Sequence, residues 1–215
     1  MWEQACLFLT EEESAKIKKK DKFTAEVEVM GVRKINREDR FSYDDYKEWE
    51  DGEDWEIIGG KPYMMAPSPN TKHQEIAGKI FGEIYSFLKD KPCKAYGELD
   101  VILSEEDIVK PDVIVVCDKN KITDRNIKGA PDLIIEILSP STAKKDKLDK
   151  YNLYKKSGVR EYWIVDQYNL LIDVHNFEKG EVNSYFYDEN MEENFVEVGI
   201  FGTELKLDVN YIFKE

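Results

Sequence analysis

Two apolar runs, 112–117 and 132–138, constrain this chain more than any other feature. Both are rich in Val and Ile and lack the alternation of a half-exposed strand, so each reads as a strand buried on both faces. Each also carries an acid that such a strand should not hold. Asp112 opens the first run directly after Pro111, and Glu136 lies between Ile135 and Ile137 in the second. A carboxylate there is costly unless it is paired, hydrogen-bonded, neutralised or bound to a metal.

Two Pro-Asp dipeptides compete as the partner of Glu136. Asp132 lies four residues before it on the same strand, roughly 13 Å away at about 3.3 Å per residue, too far to share one ion. If the two runs pair antiparallel, the start of the first lies beside the end of the second, and Asp112 becomes the cross-strand neighbour of Glu136. Adjacent carboxylates repel, and a divalent cation between them is the natural compensation. Oxygen donors alone favour a hard ion, Mg²⁺ or Mn²⁺. Metal ligation by Asp112 and Glu136 is therefore the expectation. The plainer alternatives are a turn carboxylate at Asp112 and a buried acid paired with a basic residue at Glu136.

A helix predicted over about 141–157, ending at Gly158, supplies basic residues. At 100° per residue, Lys147, Lys150 and Tyr154 share one sector of about 60°, so Lys150 can point back over the sheet. Its plainer alternative is a surface lysine four residues from Asp146. A metal held by two carboxylates beside an ammonium suits phosphodiester hydrolysis. His73 falls on the buried face of a second helix, predicted over about 72–89 by Ile76, Ala77, Ile80, Phe81, Ile84 and Leu88, with Thr71 as its cap. It is a further site candidate, against the alternative of a satisfied histidine at a helix start. Glu75 and Glu98 are weaker candidates for a third acid.

The remaining chain reads as a short helix capped by Ser42, a hairpin at Gly59-Gly60 within 55–66, one strand over 96–103, and a polar connector over 118–130. Further strands follow at 161–166, 170–176, 182–187 and 195–198, the last three as a closing meander. The order is mixed α/β, or α+β-like. Residues 1–40 read as an extension of unassigned role and 41–215 as one domain. The net charge of −14 argues against a general nucleic-acid footprint, but it is uneven. Eight acids crowd 42–56, whereas 140–160 holds Lys144, Lys145, Lys147, Lys150, Lys155, Lys156 and Arg160. Such a local basic face can steer a phosphate ligand, although a solvated helix face would look the same. Cys6, Cys93 and Cys117 show no paired spacing, which suggests free thiols in a reducing cytosol. No signal peptide or membrane span is visible, so a cytoplasmic location is expected. Nucleotide-binding glycine loops, a nucleophile elbow and a His-Glu-x-x-His zinc motif are not found.

Several stretches together resemble a known family. They are Glu56 to Met65, Pro67-Ser68-Pro69 followed by His73, Lys110-Pro111-Asp112, Gly129 through Thr142, Asp146 to Lys150, Tyr154, and Gly158 to Asp166. Over about 41–176 the chain resembles the PD-(D/E)xK restriction-endonuclease-like superfamily, and within it the Uma-type family of endonucleases. The resemblance implies a restriction-endonuclease-like core, a central mixed sheet with an antiparallel meander flanked by helices. It also implies Mg²⁺-dependent (or Mn²⁺-dependent) cleavage of DNA, with Asp112 and Glu136 as the motif acids. The usual lysine two residues after the acid is Leu138 here, and Lys150 is its expected substitute, with Lys147 as second choice. Lys144, Lys145 and Lys147 are expected to contact DNA, and cutting both strands of a duplex calls for a homodimer. The rival reading is a nuclease-fold module without catalysis that binds nucleic acid or a protein.

Overall fold

The computed structural model describes residues 39–49, 54–65, 69–139 and 146–214, all within one compact unit spanning 39–215. Residues 1–38 of the extension expected over 1–40, the start of the predicted 141–157 helix, and Lys144 and Lys145 lie outside the described residues.

A six-stranded sheet organises the structure. It comprises β3 (Lys94–Gly97), β6 (Val113–Val116), β8 (Leu133–Ile137), β9 (Glu161–Asp166), β10 (Leu171–Asn176) and β11 (Glu181–Phe186), in the order β11-β10-β9-β8-β6-β3. The two central runs are buried along their whole length and pair antiparallel, with Val113 opposite Ile135 and Val115 opposite Leu133. Strand β9 lies parallel to β8, which requires a crossover. Asp146–Lys150, a π-helical turn, and α3 (Tyr151–Ser157) form its described part. Gly158 ends α3 in the left-handed conformation at φ 89°, as its place at the predicted stop required.

Alternation along the strands feeds two cores. Val113, Val115, Leu133, Ile135, Trp163 and Val165 pack with Ile76, Ile80 and Ile84 of α2 (Thr71–Phe87) and with the C-terminal elements. Ile114, Val116, Ile134, Tyr162 and Ile164 face the other way. They pack with Leu153 and Tyr154 of α3 and with Val101 and Val109 of a second sheet. That sheet, in the order β2-β1-β5-β4-β7, contains β1 (Trp55–Ile58), β2 (Lys61–Met64), β4 (Val101–Ser104), β5 (Asp107–Val109) and β7 (Ile127–Lys128). The expected hairpin is β1–β2. Ser42 caps α1 (Tyr43–Tyr46) through a reciprocal box with Asp45.

Four local expectations change. The cap of α2 is Asn70, whose side chain accepts from His73 N, rather than Thr71. The strand expected over 96–103 is two strands in different sheets, because the chain turns between them at Glu98, which takes φ 47°. The stretch 195–198 leaves the meander: β12 (Phe195–Glu197) pairs instead with β13 (Lys206–Asp208), ahead of α4 (Val209–Phe213). Finally, Cys93 and Cys117 form a disulfide. They lie one step beyond the Lys94–Val116 pair of the β3–β6 ladder, a proximity that their 24-residue separation concealed. These two cysteines therefore give no argument for a reducing compartment. Among the described residues no helix is long and apolar enough to cross a membrane.

The C-terminal elements are pinned by a second buried acid. Glu161 Oε1 accepts from Trp163 Nε1 at 2.6 Å and from Gly199 N at 3.0 Å. A Cβ at Gly199 would sit 2.3 Å from Glu161 Oε2. Gly199→Ala is expected to destabilise the protein by about 1–3 kcal/mol through overpacking, read as a lower urea midpoint with an unchanged slope.

Candidate functional site

The β6–β8 register, carried one step past Val113–Ile135, sets Asp112 opposite Glu136 at one end of the strand pair. Asp112 Oδ2 accepts the Ile137 amide at 2.7 Å, which holds the carboxylate against the partner strand. His73, in the first turn of α2, places Nε2 3.1 Å from Ile137 O and 3.4 Å from Asp112 Oδ2. Burial pulls the His73 pKa down, but the bond and charge of Asp112 and the Ile137 carbonyl outweigh it, so the net shift is upward. Asp112 and Glu136 are thus cross-strand neighbours as expected, and the further candidate His73 reaches Asp112.

Behind Asp112 lies a buried ionic cluster. Lys150 Nζ is 2.8 Å from Glu136 Oε1, 2.7 Å from Glu56 Oε1 and 3.5 Å from Asp146 Oδ1. Tyr154 donates its hydroxyl to Glu136 Oε1 at 2.7 Å. Glu56, Glu136, Asp146 and Lys150 are 1, 5, 1 and 3 % exposed. Glu136, Glu56 and Asp146 thus all face the Lys150 ammonium in a poorly solvated place. Burial pushes Glu136 up to about 8; Lys150 opposes this, while Asp146, Asp112 and Glu56 add to it. For Lys150, burial favours the neutral amine, but Glu136 and Glu56 overcome it and raise the pKa well above the ordinary value. The ammonium is thus retained, and burial holds the Glu136 carboxyl above its ordinary range.

Lys147 does not join the site. Its Nζ lies 3.8 Å from Asp166 Oδ2 and the side chain is half exposed. The π-helical turn explains this. At roughly 4.4 residues per turn, Lys147 falls about 115° from Lys150 instead of the 60° or so of an α-helix. Asp132 takes a structural post, accepting from Cys117 N at 2.7 Å and facing Arg160 at 3.2 Å. Glu75 pairs with Lys79 on α2, and Glu98 accepts from Gln74.

Glu56 was missed. It was counted within the acidic stretch 42–56, yet it sits inside a buried strand between Trp55 and Ile57. The same test that singled out Glu136, an acid within an apolar run, would have found it.

The donors fit a hard divalent ion. Asp112 uses Oδ2, and Glu136 uses Oε1, for the bonds described above. Each carboxylate keeps a second oxygen. Among the described residues no three His, Cys, Asp or Glu form a metal cage. Mg²⁺ commonly takes only one or two carboxylates and completes its shell with water and phosphate.

Comparison with known proteins agrees with this architecture. The Uma2 family, described as "Putative restriction endonuclease", matches residues 43–210. The chain is 25% identical over 178 residues to an uncharacterized protein of Synechocystis sp., covering 80% of this chain and 92% of that protein. A second uncharacterized Synechocystis protein is 32% identical over 96 residues, 43% of this chain and 53% of its own length. A crystal structure titled as a "putative nuclease belonging to DUF820" from Anabaena variabilis superposes with a TM-score of 0.66. It has 24% identity and covers 80% of this chain and 97% of its own.

Lys150→Met would remove the ammonium that pairs with buried Glu136. The expected loss is about 3–5 kcal/mol. It should be larger at about pH 9 than at about pH 6. A carboxyl whose folded pKa exceeds its unfolded value binds more protons when folded, so stability falls as pH rises through that window. Urea unfolding at the two pH values measures both effects.

Proposed function

The chain belongs to the Uma2 family, and on that premise we propose that it is a nuclease that hydrolyses DNA phosphodiester bonds with Mg²⁺ or Mn²⁺. The observation that carries this reading is the pair Asp112 and Glu136, opposed across two buried strands with the Lys150 ammonium on Glu136. Asp112 and Glu136 would hold the ion through their remaining oxygens. When bound, such an ion supplies Lewis acidity toward the phosphate and acidifies water.

The chain's own groups supply the rest. The Ile137 amide and His73 hold Asp112 against the strand end, so its second oxygen would be presented to the ion in a fixed orientation. Tyr154 and Lys150 fix the Glu136 carboxylate from behind. From there the positive charge of the ammonium would offset negative charge that develops on the phosphate. Half-exposed Lys147, with Lys144 and Lys145, would contact the DNA backbone, giving affinity without sequence information.

One observation favours a second reading. Lys150 is held by three carboxylates, and Leu138 stands at the usual lysine position, as suits a nuclease-fold module that binds nucleic acid or a protein partner without cutting.

Two experiments separate the readings. Purified wild type should nick or linearise plasmid DNA with Mg²⁺ and lose this with EDTA. Asp112→Asn and Glu136→Gln should each lose at least about 10²-fold of the rate, and cleavage by Glu136→Gln equal to wild type would sink the assignment. Because Glu136 keeps its proton up to about 8, the ion must displace it. Calorimetric affinity for Mg²⁺ should therefore rise about tenfold per pH unit below about pH 8 and level off above it.

A further inference from the structure

The large sheet ends on a strand that lacks the usual protection. An open edge is ordinarily blunted by Lys, Pro, a bulge or a covering element. Strand β11 runs Glu181, Val182, Asn183, Ser184, Tyr185 and Phe186, pairs in unbroken register with β10, and is exposed at every position except Tyr185. Val182 and Phe186 are 56 and 59 % exposed.

The ladder shows which main-chain groups face outward. Tyr187 N donates to Leu170 O at 2.9 Å. Bonded and non-bonded pairs alternate in an antiparallel ladder, so Glu181, Asn183 and Tyr185 turn their main chain toward β10. Val182, Ser184 and Phe186 then turn theirs away from the sheet. Asn194 Nδ2, donating to Phe186 O at 2.8 Å, reaches it from that outer side.

We propose that this edge is the interface of a homodimer in which β11 pairs antiparallel with β11 of a second copy about a two-fold axis through Ser184. The sequence is self-complementary in that register. Ser184 exchanges both main-chain bonds with its counterpart, and Phe186 N donates to the carbonyl of Val182 in the other copy. The Phe186 carbonyl, with two lone pairs, accepts from Asn194 Nδ2 and from Val182 N of the other copy. On one face Val182 lies opposite Phe186, an aromatic–β-branched pair of the kind that stabilises sheets. On the other, Asn183 meets Tyr185 and Glu181 meets Tyr187, so no charge faces its like. A two-strand ladder alone falls short of the roughly 1,200 Å² of a stable interface. The exposed side chains of Met191 and Phe195 extend the apolar rim. Asn194 ties that segment to Phe186, and Asn210 ties it to Met191. The result is one continuous sheet across two copies, and it stands whether or not the protein cuts DNA.

The register gives a discriminating test on the full chain by sedimentation velocity, with circular dichroism as the folding control. Wild type should sediment at twice the mass of one chain. Val182→Lys/Phe186→Lys sets lysine against lysine across the axis and should sediment as a monomer. Val182→Lys/Phe186→Glu removes the same apolar area but sets lysine against glutamate, and should recover the dimer. A monomeric wild type would overturn the proposal and leave the edge to some other partner. A dimer that persists in the double-lysine variant, or two variants that behave alike, would overturn it as well.

Discussion

One ammonium holds three parts of the structure to a common point. Glu56 comes from the smaller sheet, Glu136 from the centre of the larger one, and Asp146 and Lys150 from the crossover between β8 and β9. Lys150 contacts all three acids with 3 % of its surface exposed. Apolar packing would bring these elements together in any case, but it leaves their relative positions soft. An ion cluster tolerates far less displacement, because a short separation leaves an acid facing apolar side chains with no counter-charge. Buried ion pairs add little net stability over well-packed apolar residues. A folding role alone is therefore a weak reason for four ionisable groups in this core.

The cluster also relates the site to its surroundings. Its members lie on the face of the large sheet that packs against α3 and the smaller sheet, the face of Ile114, Ile134, Tyr162 and Ile164. His73 arrives from α2, which packs on the opposite face. The two layers meet at the end of β8, where the Ile137 amide binds Asp112 and its carbonyl binds His73. Asp112 is thus fixed from both sides of the sheet by main chain and a buried ring. Burial makes each of these groups costly to leave unpaired, which keeps the carboxylate in place.

What could be read from the sequence followed from local patterns with a single solution. The two apolar runs allowed only buried strands, and the antiparallel choice then fixed Asp112 rather than Asp132 beside Glu136. Helical spacing put Lys150 and Tyr154 in one sector over the sheet, but it also put Lys147 there, which the π-helical turn carries out to Asp166. What escaped depended on pairings that no local pattern records. Cys93 and Cys117 meet because β3 and β6 are neighbours. The strand expected over 96–103 breaks because its halves belong to different sheets. Glu56 escaped for another reason: its acidic neighbours were read as a charge run, and the burial of Trp55 and Ile57 beside it was overlooked.

The π-helical turn shows how a local departure can answer a local lack. With Leu138 at the position where the family resemblance expects lysine, the ammonium must arrive from outside the strand. In an uninterrupted α-helix, Asp146, Lys150 and Tyr154 would drift about 40° per step, or about 80° in all. Across a turn of roughly 4.4 residues, Lys150 instead falls about 33° behind Asp146. The following α-helical turn returns Tyr154 to about the direction of Asp146. The three side chains then occupy a sector of about 40°, narrow enough for Lys150 and Tyr154 to bond one oxygen of Glu136 while Asp146 stays within 3.5 Å of the ammonium. The same unwinding turns Lys147 outward to solvent. One widened turn thus separates two lysines of the crossover, Lys150 toward the buried acids and Lys147 outward to Asp166.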